Sequence, residues 1–154
     1  MNNANFNFER PENEPILSYR AGTKERKLLI AEMERMSSEV IDIPLIIGGK
    51  EIRTGNTGKV VMPHNHKHIL ATYHKAGEKE VQMAIDASMK AHKAWEGLSW
   101  IERVSITLKV ADLISKKYRH VINASTMLGQ SKNAFQAEID AADETIDFLR
   151  FNAH

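Results

Sequence analysis

Apolar residues are spaced in two different ways along this chain. Between Pro44 and Ala76 they come in short runs cut by turn residues: Leu45-Ile46-Ile47 ahead of Gly48-Gly49, then Val60-Val61-Met62, then Ile69-Leu70-Ala71 with Thr72 and Tyr73. Such runs predict strands, and the Gly-Gly pair predicts a tight hairpin. The expected product is a small antiparallel meander. From Glu78 onward the spacing becomes helical. Val81, Ala84, Ile85, Ser88, His92 and Trp95 fall on one face, and Glu78 and Glu80 sit in the first turn, where carboxylates suit the helix dipole. Gly97 interrupts this helix. Ser99 and Glu102 then have the S-x-x-E spacing of a capping box, opening a helix with Ile101, Val104, Leu108 and Ala111 on one side. A bend or break is expected near Ser115-Lys116. Val121, Ala124, Ser125 and Leu128 continue a stripe, with Gly129 placed to cap its end. Asn133, three residues before Gln136, is placed to cap the last helix.

Upstream of the strands, Thr23 is positioned to cap a helix reaching about Val40, with Leu28, Leu29, Ala31, Met33 and Met36 as its apolar surface. Residues 1–22 are polar and Asn-rich, with Pro11 and Pro15, and predict an extended arm or a disordered tail. The chain therefore divides into an arm over 1–22 and a unit over 23–154 made of a helix, a β meander and a cluster of helices.

Composition narrows the function classes. The 154-residue chain is long enough for one domain with a core, and its net charge of +1 favours neither nucleic acid nor a membrane surface. There is no cysteine, so disulfides, thiolate metal sites and thiol nucleophiles are excluded together. No apolar run is long enough to span a bilayer. The N-terminus lacks the basic and apolar stretches of a secretory signal, and Glu9, Glu12 and Glu14 are unlike a transit peptide, so a cytoplasmic location is expected.

Three local patterns invite a chemical reading and fail it. His64, His66 and His68 alternate as metal ligands on a strand would. However, Pro63, Asn65 and Lys67 give the stretch the character of a polar turn, and no carboxylate or cysteine completes a set. Leu128 to Lys132 lacks the first glycine of a phosphate loop and follows no strand. The eight glycines nowhere form G-x-G-x-x-G. Lys116, Lys117, Arg119 and His120 read as a solvated helix end whose cations complement the dipole.

The last helix is more informative. At 100° per residue, Phe135, Ile139, Ala142, Ile146 and Leu149 form a core stripe within roughly 80°. Ala137, Ala141, Glu144, Phe148 and Phe151 form a second apolar stripe opposite, with a carboxylate at its centre. A helix apolar on both sides is normally sandwiched. Glu144 is then either a surface glutamate or a carboxylate facing a ligand pocket walled by aromatic rings.

"TMLGQSKNAFQAEIDAADETIDFLRFNAH", Thr126 to His154, closely resembles a segment of the 1-pyrroline-5-carboxylate dehydrogenases, a branch of the aldehyde dehydrogenase superfamily. "AIDASMKAHKAWEGLSWIERVSITLKVADLIS" and "PLIIGGKEIRTGNTGKVVMPHNHKHILATYHKA" resemble the superfamily's first helices and opening hairpins. The resemblance covers about Ile43 to His154. It implies an α/β fold of the aldehyde dehydrogenase type, of which this chain is the N-terminal portion, the incomplete start of the NAD-binding domain. It also implies NAD-dependent oxidation of L-glutamate γ-semialdehyde, the open form of 1-pyrroline-5-carboxylate, to L-glutamate in proline breakdown. The family's nucleophilic cysteine and its NAD-binding strands have no counterpart here. The chain alone is thus expected to be inactive, to bind no NAD, and to need the missing C-terminal part as its partner, with a homo-oligomer expected when complete. Glu144 matches the family glutamate near the aldehyde site, which implies a contact with the substrate's amino group; no catalytic, cofactor or metal-binding residue is assigned. A half of a split enzyme, or a non-catalytic helical interaction module, is the alternative.

Overall fold

A computed structural model describes residues 10–154; the start of the expected arm, residues 1–9, lies outside the described residues. Residues 10–20 form neither helix nor strand and run as a strap across the helices, with Glu14 and Tyr19 buried. Tyr19 holds the left-handed conformation at φ 52°. Helix α1, Lys24–Ser38, starts where expected, with the Thr23 hydroxyl accepting the Arg26 amide at 3.4 Å, and it buries Leu29 and Met36.

The helix gives way sooner than its sequence suggests, because Ile41–Ile43 forms strand β1. β2 (Leu45–Ile47) and β3 (Lys50–Ile52) make the expected hairpin, paired antiparallel with Ile47 opposite Lys50. Gly48 and Gly49 both adopt positive φ, 57° and 77°. That backbone matches strand twist and is open only to glycine and a few polar residues. β4 (Thr57–Met62) and β5 (Asn65–His74) pair antiparallel through a two-residue turn at Pro63-His64.

The strands do not form one antiparallel meander. β2 and β3 stand as a two-stranded sheet, and the other sheet has the order β1-β5-β4, with β1 parallel to β5 (Ile41 opposite Ala71). The pairing joins residues about thirty apart, and three residues of strand carry too little pattern to reveal it.

Helices make up the rest. α2 (Glu78–Glu96) is followed by α3 (Trp100–Leu113), whose Ser99–Glu102 capping box is complete: the Ser99 amide donates to Glu102 Oε2 at 2.8 Å, and the Glu102 amide to Ser99 Oγ at 3.3 Å. The expected bend near Ser115 is a π-helical turn, Ile114–Tyr118, leading without a break into α4, Arg119–Gln130. Gly129 does not cap α4. It lies within the helix, and the left-handed cap is Ser131 at φ 58°. α5 (Ala134–Ala137), opened by the Asn133–Gln136 box, passes through a second π-helical turn, Glu138–Asp143, into α6, Glu144–Phe151. α1 packs on α4, α3 on α6, and α4 against β4. The core between them contains Tyr19, Leu29, Met36, Met62, Leu70, Ala124 and Leu128. Among the described residues no helix is long and apolar enough to cross a membrane.

Candidate functional site

The second π-helical turn decides what the last helix presents. An α-helix would set Glu138 and Asp143, five residues apart, about 140° from each other. A π-helical turn closes i to i+5 and brings such a pair onto one side. Both carboxylates meet Arg119 here. Arg119 Nη2 donates to Glu138 Oε1 at 2.5 Å, to the Pro15 carbonyl at 2.8 Å and to Asp143 Oδ1; Nη1 donates to Glu14 Oε1 at 2.5 Å. Arg119 is therefore not part of a solvated helix end. It is 8% exposed and lies inside the molecule, while Lys116 and Lys117 stay at the surface.

The strap is tied to this centre at several points. The Leu17 amide donates to Glu138 Oε1 at 2.7 Å, and the Tyr19 hydroxyl to Glu138 Oε2 at 2.7 Å. Glu14 also accepts from Ser115 Oγ at 2.7 Å and Arg150 Nη1 at 2.5 Å. Asn123 Nδ2 reaches Glu138 Oε2 at 2.8 Å. Burial alone would raise all three carboxyl groups. For Glu14 the hydrogen bonds from Ser115, Arg150 and Arg119 outweigh it, and for Glu138 those from Arg119, Tyr19 and the Leu17 amide do, so both lie below the ordinary glutamate value. Asp143 goes the other way: burial, followed by the charge of Glu138, pushes it up to about 7 against the pull of Arg119. Its Oδ2 is buried without a hydrogen-bond partner among the described residues, as is Asn123 Oδ1. Burial and Glu138 together raise the Tyr19 hydroxyl.

The same π-helical turn rotates α5 relative to α6 and divides the two predicted stripes. Ala142 and Ile146 are fully buried, as expected, and Ile139 and Leu149 half-buried, but Phe135 is 61% exposed and Ala137 is buried. On the opposite side the second stripe holds over α6. Glu144 and Phe148 are exposed, Phe148 at 63%, and Phe151 is 41% exposed. With Asp147 and Asn13 they line an open groove of about 400 Å³. Asp147 is occupied by the strap, accepting from Asn13 Nδ2 at 2.6 Å and from the Glu14 amide at 2.7 Å. The Glu144 carboxylate makes no hydrogen bond or ion pair with a described residue. Among the described residues it is an uncommitted acceptor for a cation, in the same groove as the Phe148 and Phe151 rings. A larger cavity of about 660 Å³, lined by Arg10–Pro15, Leu108, Arg150 and His154, is a weaker candidate, because its Arg150 is committed to Glu14.

The other candidate residues are scattered. His64 sits in the β4–β5 turn, 2.8 Å from Ser131 Oγ, and His66 and His68 lie on β5, with His66 exposed. Among the described residues no three His, Cys, Asp or Glu side chains are grouped to hold a metal ion. Between β5 and α2 the Gly77 amide donates to Glu80 Oε2 at 2.9 Å, which closes the N-terminus of α2 with its own carboxylate. The charge centre on Arg119 went unpredicted. Its only sequence signal is Glu138 and Asp143 set among alanines and Ile139, a pattern no α-helical face accommodates.

The chain and its fold have counterparts in known proteins. Residues 52–154 match the aldehyde dehydrogenase family model, and the chain belongs to that family. It is 46% identical over 149 residues to the mitochondrial delta-1-pyrroline-5-carboxylate dehydrogenase of Dictyostelium discoideum, an alignment covering 97% of this chain and 27% of that protein. The crystal structure of the Mycobacterium tuberculosis delta-pyrroline-5-carboxylate dehydrogenase bound with NAD and cobalamin superposes with a TM-score of 0.95 at 39% identity, over 99% of this chain and 29% of that one. The Thermus 1-pyrroline-5-carboxylate dehydrogenase with bound NAD gives 0.87 at 29% identity, over 96% and 28%. The chain thus spans little more than a quarter of these relatives.

Proposed function

We propose that this chain is the opening part of an NAD-dependent 1-pyrroline-5-carboxylate dehydrogenase, which oxidises L-glutamate γ-semialdehyde to L-glutamate, and that Glu144 receives the substrate's α-amino group. The observation that carries the site is the Glu144 carboxylate, without a partner among the described residues, in a groove lined also by Phe148 and Phe151. An ammonium group is well matched to it: a charge-assisted hydrogen bond to the carboxylate and the faces of two aromatic rings both favour a cation. The names of the relatives support the reaction, and the NAD bound in two of them supports the cofactor. The nucleophile and the NAD site belong to sequence beyond these residues, which hold no cysteine. The remainder of the enzyme is then the partner of this chain, in a complete molecule that forms homo-oligomers in the cytoplasm.

The purified chain, given NAD and the semialdehyde, is expected to produce no NADH. Addition of a polypeptide carrying the rest of an aldehyde dehydrogenase is expected to restore turnover. Glu144→Gln in the restored enzyme should raise KM for the amino-acid aldehyde about tenfold and leave a simple aliphatic aldehyde unaffected. Turnover by the chain alone at the rate of a complete enzyme would overturn the proposal, and equal effects on both aldehydes would remove Glu144 from it. A second reading, a helical interaction module, is favoured by one observation: α2 buries none of its residues. Tight binding to an unrelated protein, without restored turnover, would select it.

A further inference from the structure

Arg119 Nη2 carries two N–H bonds and has three acceptors: Glu138 Oε1, Asp143 Oδ1 and the Pro15 carbonyl. One acceptor must be underserved. The protonation state of Asp143 determines which, because a carboxylate accepts far better than a neutral acid or a backbone carbonyl. The charges point the same way. Two guanidiniums, Arg119 and Arg150, face Glu14 and Glu138, a balanced set; an ionised Asp143 adds a third negative charge with its Oδ2 buried and unpartnered.

We infer that Asp143 is a proton-operated latch on the strap, residues 10–20. Neutral Asp143 leaves an Nη2 proton for the Pro15 carbonyl, and the strap is clamped. Ionised Asp143 takes that proton and repels Glu14 and Glu138, so the clamp at Pro15 opens and the strap loosens from Leu17 back to Asn13. The groups facing Asp143 are Arg119 from α4, Glu14 from the strap, Glu138 from the same π-helical turn and Asp147 from α6. Of these only Arg119 opposes its neutral form. The elevated value of Asp143 puts the transition near neutrality. Asn13, one wall of the Glu144 groove, rides on the strap and is bonded to Asp147, so the latch also sets the shape of the groove. The latch itself is independent of what the groove binds.

Amide hydrogen exchange on the full chain tests this, with rates corrected for the intrinsic effect of pH. Protection of the Leu17 and Glu14 amides is expected to fall about tenfold between pH 5.5 and 8.5, while the α1 and α4 amides keep theirs. In Asp143→Asn, which cannot ionise, the fall is expected to disappear. Flat protection in the unaltered chain, or an undiminished fall in Asp143→Asn, would overturn the latch. Should Asp143→Asn not fold, carbon NMR of the unaltered chain decides. A shared titration midpoint for the Asp143 carboxyl and the Leu17 amide supports the latch; an Asp143 midpoint in the ordinary carboxylate range overturns it.

Discussion

Arg119 shows how much one side chain can hold in place. It joins four parts of the chain: the strap through Glu14 and Pro15, its own helix α4, and both ends of the second π-helical turn through Glu138 and Asp143. Burying this many charges contributes little net stability, but removing the central cation leaves carboxylates without compensation. Arg119→Met is expected to destabilise the chain by about 3–5 kcal/mol, read by urea denaturation; a change below about 1 kcal/mol would show that the centre relaxes without it. The titration of the centre has a definite sign. Asp143, raised to about 7, contributes stability that is complete below its unfolded value of 3.8 and is lost as pH rises through about 7. Glu14 and Glu138, both lowered from 4.5, contribute stability that is present above that value and is lost as pH falls through their folded values. The midpoint of thermal unfolding should therefore peak near about pH 4.5 to 5 and decline toward pH 8. Asp143→Asn should flatten that decline. The sequence marks Arg119 as basic and no more, since its partners lie 19 to 105 residues away and no local period connects them.

At the scale of elements, caps were legible and helix continuity was not. Thr23, Ser99 and Asn133 all cap the helices assigned to them, because a cap is a matter of three or four neighbouring residues. Gly129 has the composition of a C-terminal cap, yet α4 continues past it and ends at Ser131. A methyl group at Gly129 meets no atom within 4 Å, whereas Gly49 sits at φ +77°. Gly129→Ala is expected to stabilise by about 0.5–1 kcal/mol and Gly49→Ala to destabilise by about 1 kcal/mol, measured by chemical denaturation. A loss at Gly129 would return it to the role of a cap. The π-helical turns explain why the two-stripe projection of the last helix holds over α6 and fails before it: a constant 100° step is valid only within uninterrupted α-helix.

Across the whole molecule, the core is continuous around α1, α4, β4 and β5, while α2 and the β2–β3 hairpin lie at its margin. Ile46, Val81, Ile85 and Met89 are each at least half exposed, at 66, 52, 50 and 68%. Contiguous apolar surface of this kind is a site of association. The isolated chain is expected to bind a hydrophobic dye and to self-associate with rising concentration, and Ile85→Lys with Met89→Lys should reduce both signals. Sedimentation as a concentration-independent monomer with no dye fluorescence would show the face to be inert.

The amino-acid sequence by itself determined most helix starts, the Gly48-Gly49 hairpin, the α/β class and the family, because each depends on neighbours within a few residues or on a run of matching motif. The shared stripe of Glu144, Phe148 and Phe151 was also visible there, because α6 is regular over that span. Only the tertiary structure decided that β1 pairs parallel with β5, that the strap belongs to the core, and that Arg119 is buried among three carboxylates. Those features come from groups far apart in the chain, and two of the carboxylates meet the guanidinium only through a π-helical turn that packing selects over the α-helix.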